Sequence, residues 1–184
     1  MVLILLGMFA IASAQPTLPD LSGQTYIADK GETLEITIDL EEGPDNGSVT
    51  WSTDMANLQL KSSDDSSAVF EWTGVSQTGT YQGNVTASDI NSTDKEVLSI
   101  QVQNNVPVIT SNPVETAYVG TTYTYDVQAQ DDDSDALTYT LDQHPAGMQI
   151  NSTTGLITFD VPQDYNSQTV KLSVSDGEDT TTQQ

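Results

Sequence analysis

The second half of this chain repeats the first, and a repeat constrains the architecture more tightly than any single element does. Gly31, ahead of the alternating Leu34, Ile36, Ile38 and Leu40, is matched by Gly120 ahead of Tyr123, Tyr125, Val127 and Ala129, at an offset of 89. Val49 and Trp51 match Leu137 and Tyr139 at an offset of 88. Phe70 and Trp72 match Ile157 and Phe159 at 87, as do Val85, Ala87 and Asp89 with Leu172, Val174 and Asp176. The drift corresponds to two small indels, both placed in loops.

Within each copy, apolar and polar residues alternate over short runs bounded by Gly, Asp, Asn, Ser and Pro clusters, the pattern of half-buried strands. Tyr81, Gly83, Val85 and Ala87 share one predicted inward face, and Leu98, Ile100 and Val102 another. No apolar stripe of helical period follows residue 15. Each copy of 87 to 90 residues therefore holds six or seven strands, the length and strand count of an immunoglobulin-like sandwich. The fold class is all-β: two tandem immunoglobulin-like β-sandwiches over residues 15–105 and 106–184. The join is placed near Gln103–Pro107, because Pro107 cannot donate to a sheet ladder. Shifting the predicted last strand of the first copy, Val97–Val102, by 87 gives positions 184–189, whereas the sequence stops at Gln184. The second sandwich is expected to lack its last strand, through truncation or because a partner supplies it, and so to carry an open edge.

Residues 2–12 form an eleven-residue apolar or small run, VLILLGMFAIA. That is too short to span a ~30 Å hydrocarbon core, and it ends in Ala12-Ser13-Ala14, a signal-peptidase pattern. A signal peptide over 1–14 is predicted, with Gln15 as the mature terminus, although the usual basic leader is missing; the other reading is a buried N-terminal strand. Export implies a secreted or cell-surface location, with membrane attachment only through an anchor outside this sequence. The chain carries 27 acidic against 4 basic side chains, a net charge of −23. That balance argues against nucleic acid and anionic membrane surfaces, whose phosphates need Lys and Arg. The regular β periodicity argues against an acidic disordered chain, which leaves cation binding and adaptation to high salt. With no cysteine, neither disulfides nor thiolate metal sites can form.

Asp131-Asp132-Asp133-Ser134-Asp135 packs four carboxylates into five residues. Like charges at contact repel by about 1 kcal/mol per pair in bulk water and by more near a low-dielectric surface. Such a cluster is either splayed into solvent as a turn whose side chains cap backbone amides, or neutralised by a bound cation.

Several motifs surround this cluster in order: Pro107-Val108-Ile109, Gly120–Val127, Ala129–Tyr139, Pro145–Met148, Ser152–Ile157 and Val174–Gly177. Together they resemble the dystroglycan-type cadherin-like domain and its relative, the immunoglobulin-like module of prokaryotic surface proteins. Residues 16–105 resemble a more divergent copy through Trp51, Phe70-Glu71-Trp72, Gly79-Thr80-Tyr81 and Ala87-Ser88-Asp89. The resemblance implies a secreted or surface protein of stacked sandwiches, often calcium-binding, that acts in adhesion or as a spacer. Carried over residue by residue, it makes Asp131 and Asp133 the Asp-x-Asp ligand pair and Asp176 the carboxylate after the penultimate strand, with Asp135 in reserve. The family's acidic linker pattern falls on Gln101, Gln103, Asn104, Asn105 and Pro107, where only Asn105 and Pro107 fit. In the first copy Glu42, Pro44 and Asn46 replace the Asp residues, although Asp89 is retained. A weak Ca²⁺ site is therefore expected, about 10⁻⁴–10⁻³ M as in extracellular modules.

His144 lacks the partners for a zinc site or a nucleophilic triad and reads as a loop residue. Trp51, Trp72, Tyr139 and Phe159 read as core. Asn46, Asn84, Asn91 and Asn151 fit the N-glycosylation pattern, Asn91 and Asn151 in loops. No polar groups converge by spacing on a catalytic site, so no enzymatic role is expected. The expected function is an exported adhesion or spacer module. Its partners would be other surface proteins, surface glycans or adjacent repeats of the same protein. The alternatives are a metal-independent acidic stalk and a carbohydrate-binding accessory module of a secreted hydrolase.

Overall fold

The structure, a computed structural model, describes residues 15–44 and 47–184. The predicted signal peptide and Asn46 lie outside the described residues. The chain divides into two compact units between Gln103 and Asn104. Every regular element among the described residues is a β-strand.

The first unit holds β1 (Tyr26–Asp29), β2 (Leu34–Asp39), β3 (Thr50–Thr53), β4 (Leu58–Ser63), β5 (Ser67–Trp72), β6 (Gly79–Ser88) and β7 (Thr93–Gln103). They form two sheets, β1-β7-β6-β3 and β2-β5-β4, and β1 runs parallel to the end of β7. The alternation in the sequence sets which face is buried. Ile36 and Ile38 from β2, Phe70 and Trp72 from β5, Val85 and Ala87 from β6, and Leu98, Ile100 and Val102 from β7 all lie in one core. Burying a side chain of this size is worth about 1.5–3 kcal/mol, so a one-residue slip that turned these faces outward is strongly disfavoured.

The second unit holds β8 (Val108–Ile109), β9 (Thr122–Asp126), β10 (Ala129–Gln130), β11 (Thr138–Gln143), β12 (Gln149–Ile150), β13 (Leu156–Asp160), β14 (Lys171–Ser175) and β15 (Thr180–Gln183). Its sheets are β11-β14-β15 and β12-β13-β9, with β8 and β10 as a short pair. The repeat extends to the register. Trp51 faces Ala87 across β3 and β6, as Tyr139 faces Val174 across β11 and β14. Ile36 faces Phe70 in one copy, and Tyr125 faces Ile157 in the other.

The structure refines the expected missing strand. β7 begins at Thr93, earlier than the apolar run alone suggests, because its outer half pairs with β6 through polar residues. The equivalent outer half in the second unit is β15, which pairs with β14 over Thr180–Gln183.

Candidate metal centre

β10 ends at Gln130, and the chain turns at once over Asp131–Ser134, closed by a bond from the Ser134 N–H to the Asp131 carbonyl at 3.2 Å. Ser134 takes the left-handed conformation, φ 63°, a region that costs most non-glycine residues energy. That turn brings Asp135 back over Asp131, whose Oδ1 accepts the Asp135 N–H at 3.1 Å. Ligand oxygens of Asp131, Asp133 and Asp135 consequently lie within 4.8 Å of one another. The convergence comes from the turn and not from strand alternation.

Ca²⁺ binds oxygens at about 2.3–2.6 Å, so two oxygens on opposite sides of one ion stand about 5 Å apart. The spacing of this triad suits a single cation of that size. The donor set is hard oxygen only, appropriate to Ca²⁺ and unsuited to softer metals. Asp131 Oδ2 is buried and accepts no hydrogen bond; a buried charged oxygen without a partner is costly, and a cation would supply that partner. Asp133 is already served. Its Oδ2 accepts the Asn105 backbone N–H at 2.5 Å and its Oδ1 the Asn105 side-chain amide at 2.9 Å. Each carboxylate oxygen keeps a second lone pair, so these bonds leave Asp133 able to ligate.

Asp176 is not among the converging carboxylates. It sits in the β14–β15 hairpin, where its Oδ1 accepts the N–H groups of Glu178 and Asp179 at 2.7 and 2.6 Å. Its Oδ2 accepts the side-chain amide of Asn104 at 2.8 Å, and that amide also reaches Asp179 at 3.1 Å. Burial pushes the Asp176 carboxyl up, but the hydrogen bonds from Asn104, Asp179 and Glu178 together outweigh it and hold the group below its ordinary value. Its counterpart Asp89 does the same at the β6–β7 hairpin, with Oδ1 accepting from Asn91 and Ser92, both at 2.7 Å. An aspartate at this position in both copies is thus accounted for by turn capping.

Residues 106–184 match the family model described as Putative Ig domain. The second unit is similar to that family. No curated protein matches the chain. Among solved structures, the titin domains Z1Z2 in complex with telethonin align at TM-score 0.51 and 15% identity, over 91% of this chain and 92% of theirs. That likeness shows the tandem Ig-sandwich fold. Human protocadherin-24 EC1-2 aligns at TM-score 0.41 and 16% identity, over 93% of each chain. An endo-fucoidan hydrolase of glycoside hydrolase family 107 aligns at 0.40 and 18%, over 91% of this chain; the chain spans 28% of the hydrolase's length.

The resemblance sets Asn104 and Asn105 on the linker positions of the ligand pattern, where Asn105 fits and Asn104 does not. The structure gives them a donor role toward Asp133, Asp176 and Asp179. The detectable signal was the placement of two amides just before Pro107 in a chain with four basic side chains, where amide donors are what remains to partner carboxylates. His144 Nδ1 lies 3.0 Å from the Pro145 carbonyl, a local loop contact. Asn91 and Asn151 are exposed in loops, whereas the Asn84 amide is held by Asp54 Oδ2 at 2.7 Å.

Proposed function

We propose that this chain is an exported surface module of tandem Ig-like sandwiches, serving adhesion or spacing, with a weak Ca²⁺ site formed by Asp131, Asp133 and Asp135. The observation that carries the metal is the converging triad with the buried, unpartnered Asp131 Oδ2. Asp176 caps its own hairpin and stands outside the converging triad. With three carboxylates and the remaining coordination left to water and carbonyls, affinity falls in the millimolar range, about 10⁻⁴–10⁻³ M. Export rests on the residue 2–14 pattern and on the Ig-like family match. Among the described residues no helix is long and apolar enough to cross a membrane. The role is mechanical and adhesive, with no catalysis by these residues.

One observation favours a metal-free stalk as a second reading: Asn105 already neutralises part of the Asp133 charge by two hydrogen bonds. A sugar-binding accessory role draws no support from Trp51, Trp72, Tyr139 and Phe159, which are all core residues. Calorimetric melting of the chain in chelator and in rising Ca²⁺ tests the metal. The second unit's transition should rise with millimolar Ca²⁺, and Asp131→Asn should abolish the rise. An unchanged transition would leave the metal-free stalk.

A further inference from the structure

The fold treats the Asn-x-Ser/Thr tripeptides, the acceptor pattern for N-linked glycans, very differently from one another. Asn46 lies outside the described residues. Asn84 lies within β6, where its backbone N–H and its side-chain amide donate to the two oxygens of Asp54 at 2.6 and 2.7 Å. The next residue, Val85, is buried in the core, so this tripeptide is locked into a strand flanked by β3 and β7. Asn91 is exposed at the β6–β7 turn. The hydroxyl two positions on, however, belongs to Thr93, which begins β7 opposite Ser88 and shares a hydrogen bond with the Ser88 hydroxyl at 3.0 Å.

Asn151 is free of both constraints. It opens the loop that joins β12 to β13, and Asn151, Ser152, Thr153 and Thr154 are all exposed. Its Oδ1 accepts the N–H groups of Thr153 and Thr154, both at 3.0 Å. That occupies the carboxamide oxygen and leaves the nitrogen. Among the described residues, neither the Asn151 Nδ2 nor the Thr153 hydroxyl makes a hydrogen bond. The base of the loop is firmly held: the Asn151 N–H donates to the Leu156 carbonyl, the Gly155 N–H to the Asn151 carbonyl and the Tyr139 N–H to the Ser152 carbonyl, each at 2.9 Å. The acceptor nitrogen and the hydroxyl two positions on thus stand together on a supported, solvent-facing loop, and neither belongs to a sheet ladder.

We propose that Asn151 is the residue at which the folded chain accepts an N-linked glycan. The donor is an oligosaccharide carried on a lipid pyrophosphate. The Asn151 Nδ2 attacks the anomeric carbon of the first sugar; the new carbon–nitrogen bond forms as the carbon–oxygen bond to phosphate breaks. The lipid pyrophosphate leaves with the bonding pair, and Nδ2 gives up one proton to a base of the transferase. Modification in the cell rests on the export proposed above, because such transferases act on exported chains. Asn84 and Asn91 become acceptors only when a strand opens, since the Asp54 clamp holds the first and the start of β7 holds the hydroxyl that serves the second. A bulky, solvated chain at the β12–β13 loop suits a spacer, because it extends the surface of the second unit without touching its core.

The test takes the full chain, purified unmodified and folded, and incubates it with a lipid-pyrophosphate oligosaccharide and a transferase that requires only Asn-x-Ser/Thr. Peptide mass spectrometry reads the occupancy of each Asn over time. Opening a sheet ladder costs free energy that a solvent-facing loop does not, so initial transfer at Asn151 should exceed that at Asn84 and Asn91 by about tenfold or more. Asn151→Asp keeps the oxygen that caps the turn and removes the nucleophile, and Thr153→Val keeps the carboxamide and removes the hydroxyl. Both should lose the glycan at this loop. No transfer to the wild-type chain, equal transfer at Asn91 or Asn84, or retained transfer in Thr153→Val would overturn the assignment. The purified reaction does not depend on export, so its failure counts against Asn151 alone. The chain found unmodified in the cytosol of cells that carry the transferase would count against export instead.

Discussion

Asn105 meets Asp133 twice, with its backbone N–H on Oδ2 at 2.5 Å and its side-chain amide on Oδ1 at 2.9 Å. The pair ties the start of the second unit to the acidic turn, and it does so without a metal. Because Asp133 also belongs to the converging triad, its replacement acts on stability and on ion binding together, and the two must be separated.

In chelator, Asp133→Ala removes both acceptors and leaves the part-buried Asn105 N–H unsatisfied. Losing a partner from such a group costs about 1–3 kcal/mol. Asp133→Asn keeps one acceptor oxygen and should cost less. Calorimetry without Ca²⁺ should rank wild type above Asn and Asn above Ala. Equal melting temperatures for all three would show that the two hydrogen bonds contribute nothing net.

The acid limb of stability should carry the signature of the hairpin aspartates. Asp176 and Asp89 are both held below the ordinary carboxyl value in the folded chain. A depressed folded-state value means that stability is fully present above the unfolded Asp value of about 3.9 and is lost as pH falls through the folded value. Asp176→Asn retains an acceptor but cannot titrate. It should flatten the loss of second-unit stability below pH ~4 while leaving the first unit's profile unchanged. A variant profile parallel to wild type would remove Asp176 from the acid transition.

Gly155 should tolerate no side chain. It sits between β12 and β13 at φ 75°, and a Cβ there would lie 2.5 Å from the Val127 carbonyl oxygen and 3.0 Å from the Tyr139 ring. The backbone oxygen cannot retreat cheaply, because the loop is pinned by the bond from the Val127 N–H to the Gly155 carbonyl at 3.2 Å. Gly155→Ala combines left-handed strain, about 1–3 kcal/mol, with this clash. Urea unfolding should show a loss at or beyond that range. A change under 0.5 kcal/mol, the ordinary scatter of surface substitutions, would contradict the close approach.

Much of this fold was legible because period-two alternation and the internal repeat agree. The pairing of Trp51 with Ala87 and of Tyr139 with Val174 follows from aligned apolar positions. The start of β7 was not legible, since Thr93 to Glu96 are polar and take their strand geometry from pairing with β6. The Asp131–Asp135 cluster was visible as charge, but its convergence depends on the left-handed Ser134, which composition does not reveal. Asp176 was assigned by family pattern to the metal, while local hydrogen bonding gives it to its own hairpin.

The two tryptophans occupy equivalent depths yet should respond unequally to replacement by Phe. Both are nearly fully buried in the first unit, Trp51 at 4% and Trp72 at 1% exposure. The Trp51 indole N–H donates to the Asp64 carbonyl at 3.0 Å, whereas the Trp72 indole N–H is buried with no acceptor. Trp51→Phe deletes ring volume and strands the Asp64 carbonyl, so a cavity cost and a lost hydrogen bond combine. Trp72→Phe deletes similar volume but also removes an unsatisfied donor, whose burial already costs the wild type about 1–3 kcal/mol. Its edge-on contact with Tyr81, centroids 5.2 Å apart, can be kept by a phenyl ring. Trp51→Phe should therefore destabilise the first unit by at least about 1 kcal/mol more than Trp72→Phe. Each single-tryptophan variant retains one indole as its own fluorescent reporter, so both unfolding curves can be read directly. The reverse order would place an unseen acceptor, such as a buried water, at the Trp72 indole.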